Sequence, residues 1–202
     1  MYNSSKLVKG IGTKGMTYPT WDGKKILKEY DLWGSMLGRC SQNVQAAHQS
    51  YRGVTCSENF KSYTFFYEWC HKQTGFGRKD EKGRYWHLDK DLLIKGNKLY
   101  SEETCVFVPL TINCLLTKRE AKRGSHPLGV HFETSKNKFT VNCNNGFGKL
   151  EWLGYFNCQN EAFLAYKTYK EALIRQVAEQ YKDQLDHRAY QALMNYTVEI
   201  TD

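Results

Sequence analysis

The pattern of apolar residues predicts an α+β chain, and three stretches carry that prediction. Residues 28–39 and 58–72 repeat large apolar side chains at the spacing of one helix face. Residues 105–108 (Cys-Val-Phe-Val) form a short apolar run closed by Pro109. From Leu128 to Gly154 the pattern becomes strand-length segments separated by Asn- and Gly-bearing turns, and a long helical pattern follows.

In chain order, Met1–Thr20 carries glycine and lysine and ends in Tyr18-Pro19-Thr20, the composition of an extended arm. The first helix, Lys28–Arg39, places Tyr30, Trp33, Met36 and Leu37 on one face. Ser41–Ser50 is polar and reads as loop, and Tyr51–Cys56 reads as a turn and short strand. Ser57 is positioned to cap a second helix from about Glu58 to Lys72, with Phe60, Tyr63, Phe66, Tyr67 and Cys70 inward. Because this aromatic stripe recurs at helical spacing, it reads as core and not as a platform for stacked bases. Gly75–Arg84 is a charged, glycine-bearing loop.

Trp86–Asn113 is the stretch richest in chemistry. It packs a histidine, two aspartates and a lysine into His87–Asp91, then turns at Gly96-Asn97. The apolar strand Cys105–Val108 follows, and after Pro109 a helical start carries Asn113. Strand alternation would put His87, Asp89 and Asp91 on one face. By residue type alone, Asp89-Lys90-Asp91 also fits a solvated turn and Asn97 an ordinary turn residue.

Thr117–His126 holds Lys118, Arg119, Lys122, Arg123, Gly124 and Ser125 and is closed by Pro127. It reads as a basic linker, equally suited to be a solvated tether or a strap along phosphates. Three short strands are expected at Gly129–Phe132, Lys138–Asn142 and Lys149–Gly154. A helix from Asn160, its expected cap, to Tyr181 would pack through Ala162, Tyr166, Tyr169, Leu173, Val177 and Tyr181. A last amphipathic helix is expected over Asp183–Tyr196, with Leu185, Tyr190, Leu193 and Met194. The expected divisions are 1–116 (with the site at 86–113), a linker 117–127, a sheet-plus-helix domain 128–182 and a terminal helix 183–202.

Composition narrows the function class. The chain has 202 residues, enough for one or two small domains, and a net charge of +8. With a pI near 9.0, it favours a polyanionic partner, although basic soluble proteins are common. No leader-like segment or membrane span of roughly 20 apolar residues is evident, so the expectation is a soluble, intracellular protein without a membrane partner. The seven cysteines are irregularly spaced and lack a Cys-x-x-Cys pair, which fits neither a disulfide framework nor a zinc ribbon. The one scattered group with zinc-type donors is Cys40, Cys56, Cys70 and His71.

Trp86–Asn113 resembles the HNH homing endonucleases of bacteriophages. Those proteins carry Leu-Asp-Lys-Asp, Gly-Asn-Lys, Tyr-Ser, Cys-x-Phe-Val-Pro and Ile-Asn in that order, and all five occur here between Leu88 and Asn113. A Trp-x-x-Met-Leu-x-Arg-Cys stretch, here Trp33–Cys40, and an aromatic helix also precede the site in that family. The resemblance implies a ββα-metal nuclease domain that hydrolyses DNA phosphodiesters with a divalent ion, Mg²⁺ first and Mn²⁺ second. It implies His87 as general base, Asp89 and Asn113 as metal ligands, and Asp91 as a reserve ligand. Asn97 would fix the loop or orient the base, and Lys90 would contact phosphate or occupy the base position. Histidine titrates near working pH, and carboxylate and amide oxygens suit a hard ion. The family's Asp-His pair is missing. Either His87 is the base and Trp86 fills the neighbouring ligand position, or Asp89-Lys90 replaces the pair; both registers stay open.

Most of Leu128–Tyr181 is similar to the ethylene-response-factor (APETALA-like) type of DNA-binding domain, which also occurs fused to phage HNH nucleases. The motifs that carry this are Gly-Val, Asn-Lys-Phe, Trp-Leu-Gly-x-Phe and Glu-Ala-x-x-Ala-Tyr. The resemblance implies a three-stranded antiparallel sheet laid in the major groove. His131 stands where the first strand of that family has arginine, Asn142 and Asn144 match polar contact positions, and Trp152 matches the tryptophan of Trp-Leu-Gly. Lys136, Lys138 and Lys149 would serve phosphates. Trp152 has a plain alternative as a core aromatic, but strand alternation sets it opposite the core-facing Leu153.

The expected protein is therefore a phage-type homing or nicking endonuclease on double-stranded DNA, a monomer or weak dimer in the cytoplasm of an infected bacterium. A DNA-binding or regulatory protein with a decayed nuclease site is the alternative, and a phage accessory protein acting on a host protein is a third class.

Overall fold

A computed structural model describes residues 7–117 and 126–201. The lysines and arginines of the expected linker, Lys118–Arg123, lie outside the described residues, as do residues 1–6 of the expected arm. The described chain is mixed α+β, with six α-helices and small sheets. It divides into two compact units, Met1–Arg78 with Leu88–Phe107, and Lys79–His87 with Val108–Asp202. That division differs from the expected one, because 79–87 and 108–117 group with the C-terminal sheet. Among the described residues no helix is long and apolar enough to cross a membrane.

The first unit is built around aromatic packing between α1 (Lys28–Cys40) and α3 (Tyr63–Lys72). Trp33, Phe60, Tyr63 and Phe66 are fully buried, and the Trp33 indole donates to the Phe60 carbonyl at 2.8 Å. Phe60 meets Trp69 with ring centroids 4.8 Å apart, and Trp69 in turn meets Phe107. The stripe read from the sequence is core, as expected, but its helix starts later. Thr13 takes up the backbone on both sides of Ser62: its N–H donates to Lys61 O and its carbonyl accepts from Tyr63 N–H. Ser62 is thereby held extended and caps α3, while Ser57 Oγ accepts only the Phe60 N–H within the short 3₁₀ turn Asn59–Lys61.

Two other expectations are corrected. Ser41–Ser50 contains a helix, α2 (Gln42–Ala47), because Gln45 clamps the Cys40 and Val54 carbonyls with its amide nitrogen and the Gly53 N–H with its oxygen. Residues 7–20 are anchored and not a loose arm. The turn Val8–Gly12 closes on itself, and Gly12 lies so close to α1 that a Cβ there would sit 2.4 Å from Leu37 Cδ1. A parallel pair, β1 (Thr55–Cys56) with β3 (Leu99–Tyr100), and the pair β2 (His87–Asp89) with β4 (Val106–Val108) complete the small sheets before α4 (Leu110–Leu116).

The second unit carries the antiparallel sheet β5 (Val130–Glu133), β6 (Lys138–Asn144) and β7 (Leu150–Phe156), ordered β5-β6-β7. Helix α5 (Gln159–Gln180) covers one face, where Val130, Val141 and Cys143 pack on Ala162, Phe163 and Tyr166. The buried stripe of α5 runs through Phe163, Lys170, Ile174 and Ala178 besides the expected Ala162, Tyr166 and Val177, so Leu173 falls to its margin. The helix begins after Cys158 without a side-chain cap, so Asn160 is not its cap. The last helix is α6 (His187–Met194), capped by Asp186 through the Arg188 N–H. Helix α4 packs on the turn between β6 and β7: Gly146 lies against Leu115 and the Thr111 carbonyl.

Gly129 has φ +78, and a Cβ there would fall 2.1 Å from the Tyr166 ring. Gly129→Ala should cost about 2–4 kcal/mol, from backbone strain together with overpacking. Urea unfolding measures this, and an unchanged midpoint would contradict the packing described.

Candidate functional site

Strand β2 ends at Asp89, and the structure around it explains why. The Asp89 carboxylate turns back on the chain and accepts the backbone N–H of Asp91 at 2.9 Å and of Leu92 at 2.8 Å. This side-chain cap substitutes for strand pairing and starts the loop. Asp91 therefore lies beyond the strand and drops out of the expected common face, which keeps only His87, exposed, and Asp89, buried. The period of two holds only while the chain stays extended.

The loop after Asp89 is closed by a reciprocal clasp. Asn97 donates its amide to the Lys90 carbonyl at 2.6 Å and to the Leu99 carbonyl at 2.7 Å, and its oxygen accepts the Leu99 N–H. The Lys90 ammonium returns to the Asn97 carbonyl at 3.0 Å and to Asp91 Oδ2 at 3.1 Å. Asn97 fixes the loop, one of its two expected roles. Lys90 is engaged inside that loop, with its ammonium 5.8 Å from the Tyr100 ring centroid.

Electrostatically, Asp89 is the unusual group. Burial, with the neighbouring Asp91 charge, pushes its pKa up to about 6, against the lowering effect of the two amides. Asp89, Lys90, Asp91 and Asn97 belong to the first unit, whereas His87 and Asn113 belong to the second. In α4, Asn113 is half-buried, and its carbonyl accepts the Thr117 hydroxyl.

Among the described residues, no group of three or more His, Cys, Asp or Glu is arranged to hold a metal ion. The Cys40 thiol is hydrogen-bonded to that of Cys56, which together with burial raises its pKa. Cys70 is buried, and His71 pairs with Glu29 at 2.9 Å.

The second candidate surface is the sheet face turned away from α5. Register places His131 beside Thr140 and Tyr155 in one row, and Asn142 beside Trp152 in the next. Trp152 is 59% exposed, donates its indole N–H to Thr140 Oγ1 at 3.1 Å and meets the edge of Tyr155. Leu153 packs towards the core, as alternation requires. The Lys136 ammonium donates to the Tyr155 hydroxyl at 2.7 Å and lies 4.1 Å from its ring centroid. Lys138 and Lys149 are exposed. Asn144 is spent on structure: its side-chain oxygen accepts the Gly146 N–H at 2.7 Å, and its carbonyl accepts the buried Lys170.

Sequence reasoning missed Thr140 and Tyr155. Strict alternation from Trp152 assigns Tyr155 inward with Leu153, but a bulge between Val141 and Asn142 in register shifts the pairing from Tyr155–Thr140 to Trp152–Asn142. Gly154, at φ +127, takes up the bend. A glycine between two aromatics in a strand is the signal that could have located it.

No family model, curated protein or solved structure matches the chain.

The raised pKa of Asp89 has a definite consequence for stability. The folded state binds the proton more tightly than the unfolded chain, so this contribution is full below about pH 4 and is lost as pH rises through about 6. Asp89→Asn keeps an oxygen for the two amides and removes the charge. It should stabilise the protein by about 3 kcal/mol at pH 7, and the difference should vanish below about pH 4. Denaturant melts across that range test it, and a difference independent of pH would contradict it.

Proposed function

We propose that this chain binds duplex DNA through the outward face of β5–β7 and hydrolyses a phosphodiester in the manner of the HNH endonucleases it resembles. The observation that carries the binding half is Trp152, a half-exposed indole on the non-core face of the sheet, ringed by Tyr155, Thr140, His131 and Asn142. A contiguous exposed patch such as Trp152 with Tyr155 marks an interaction surface, and the +8 net charge favours a polyanion. Lys136 and Lys138 supply ammonium groups for phosphates, and His131 and Asn142 offer donors and acceptors to base edges.

The nuclease half is supported by chain order: a strand bearing Asp89, the strand β4 paired with it, and then the helix bearing Asn113. Asp89 and Asp91, two residues apart, are hard oxygen donors; burial and then the Asp91 charge raise the Asp89 pKa, and a divalent cation would offset both. Asp89 and Asp91 would hold the ion in the first unit. Bound there, Mg²⁺ would polarise the scissile phosphate and lower the pKa of water. The resemblance gives His87 the base and Asn113 a ligand role, and each is tested by its own variant. Asn97 and Lys90 keep the loop in shape.

A second reading, DNA binding without cleavage, is favoured by one observation. Asp89 Oδ1 is already occupied by two amides, and Lys90 by Asp91 and Asn97, so the loop is complete as a purely structural turn.

Supercoiled plasmid incubated with Mg²⁺ or Mn²⁺, beside EDTA controls, separates the readings. Metal-dependent nicking should fall about 100-fold or more in Asp89→Ala and Asn113→Ala, and His87→Ala should choose the register of the base. Trp152→Ala should weaken duplex binding about tenfold. Tight binding without cutting under any ion would leave the second reading, and no binding at all would remove both.

A further inference from the structure

The first unit presents a second surface with the chemistry of a nucleic-acid contact, the tight hairpin Thr20–Leu27. Its ends are tied by Leu27 N–H to the Thr20 carbonyl at 3.0 Å, and its turn by Asp22 N–H to the Lys25 carbonyl at 3.1 Å. Asp22 Oδ1 accepts the backbone N–H of both Lys24 and Lys25 at 2.9 Å, which spends the carboxylate on the turn. Those two bonds hold the Asp22 carboxyl below its ordinary range. Gly23, at φ +94, allows the reversal. The base of the hairpin is fixed to α3: Tyr18 stacks on Tyr67 with centroids 3.9 Å apart, and the Tyr63 hydroxyl donates to the Pro19 carbonyl at 2.9 Å.

What this rigid frame displays is unusual for a solvated turn. Trp21 and Ile26 are bridge partners, so their side chains share a face, and they are 52% and 53% exposed. Lys24 and Lys25 are exposed at the tip, and among the described residues neither ammonium is held in an ion pair. An aromatic ring and a branched aliphatic beside two exposed lysines, neither in an ion pair among the described residues, match a phosphate backbone and the base or sugar next to it. Because the turn is preorganised, little ordering entropy opposes binding.

We infer that the Thr20–Leu27 hairpin is a second nucleic-acid contact of this chain: Lys24 and Lys25 hold phosphates, and Trp21 with Ile26 lies against a base or sugar. This rests on the reading that the chain binds DNA.

The test is duplex binding by the full chain across a salt series, comparing wild type with Lys24→Ala/Lys25→Ala, Trp21→Ala and the sheet variant Trp152→Ala. Trp21, Lys24 and Lys25 are all exposed, and circular dichroism checks that each variant folds. The double lysine variant should lower the salt slope by about 2, one for each phosphate released, and Trp21→Ala should weaken binding about tenfold. Wild-type affinity and slope in the hairpin variants, with binding still weakened by Trp152→Ala, would overturn the hairpin contact and leave the sheet reading standing. Absence of duplex binding by wild type would overturn both. Wild-type binding to anionic phospholipid vesicles that is lost in the hairpin variants, with DNA binding intact, would assign the tip to a lipid surface and overturn the inference.

Discussion

A carboxylate taken out of water at the end of β2 governs the loop that follows. A buried carboxylate must have hydrogen-bond donors, and Asp89 finds them in the amides of Asp91 and Leu92, which ends the strand and begins the turn. From there the Lys90–Asn97 clasp follows, because a chain turned sharply away from its strand needs new partners for its carbonyls. An asparagine would make the same cap without the electrostatic cost of a charge near Asp91. The cap itself therefore does not need the charge on Asp89, and the proposed cation site would use it.

The second unit answers to a different constraint. A three-stranded sheet with one helix can bury only one of its faces, and here Val130, Val141 and Cys143 take that face against α5. The other face remains open and carries Trp152, Tyr155, Thr140, His131 and Asn142 in neighbouring rows. A bulge concentrates both aromatics there by adding a residue to β7. The hairpin at Trp21–Ile26 on the first unit likewise sets an exposed ring beside exposed lysines on a hydrogen-bonded turn.

Much of this was legible from residue patterns. Period-two alternation located the three strands and set Leu153 against Trp152, and helical periodicity located α1, α5 and the aromatic core. What was not legible arose from long-range backbone partners. Thr13 pairs on either side of Ser62 and delays α3, and Gln45 joins Cys40 to Val54 and stabilises α2 in a polar stretch. In the candidate site, residue types pointed to His87, Asp89 and Asp91, but their shared face required β2 to continue past Asp89. A side chain that caps its own turn leaves no periodic trace in sequence.

Asp89 is a buried carboxylate beside a second carboxylate, and the proposed cation site rests on it. Its titration can be followed directly through the ¹³C shift of the carboxyl carbon, with and without Mg²⁺. The expected result is a pKa of about 6 in the metal-free protein, falling when Mg²⁺ is added and unchanged by an equal ionic strength of KCl. An ordinary carboxylate pKa, or a raised one indifferent to Mg²⁺, would contradict it and leave Asp89 as a structural cap.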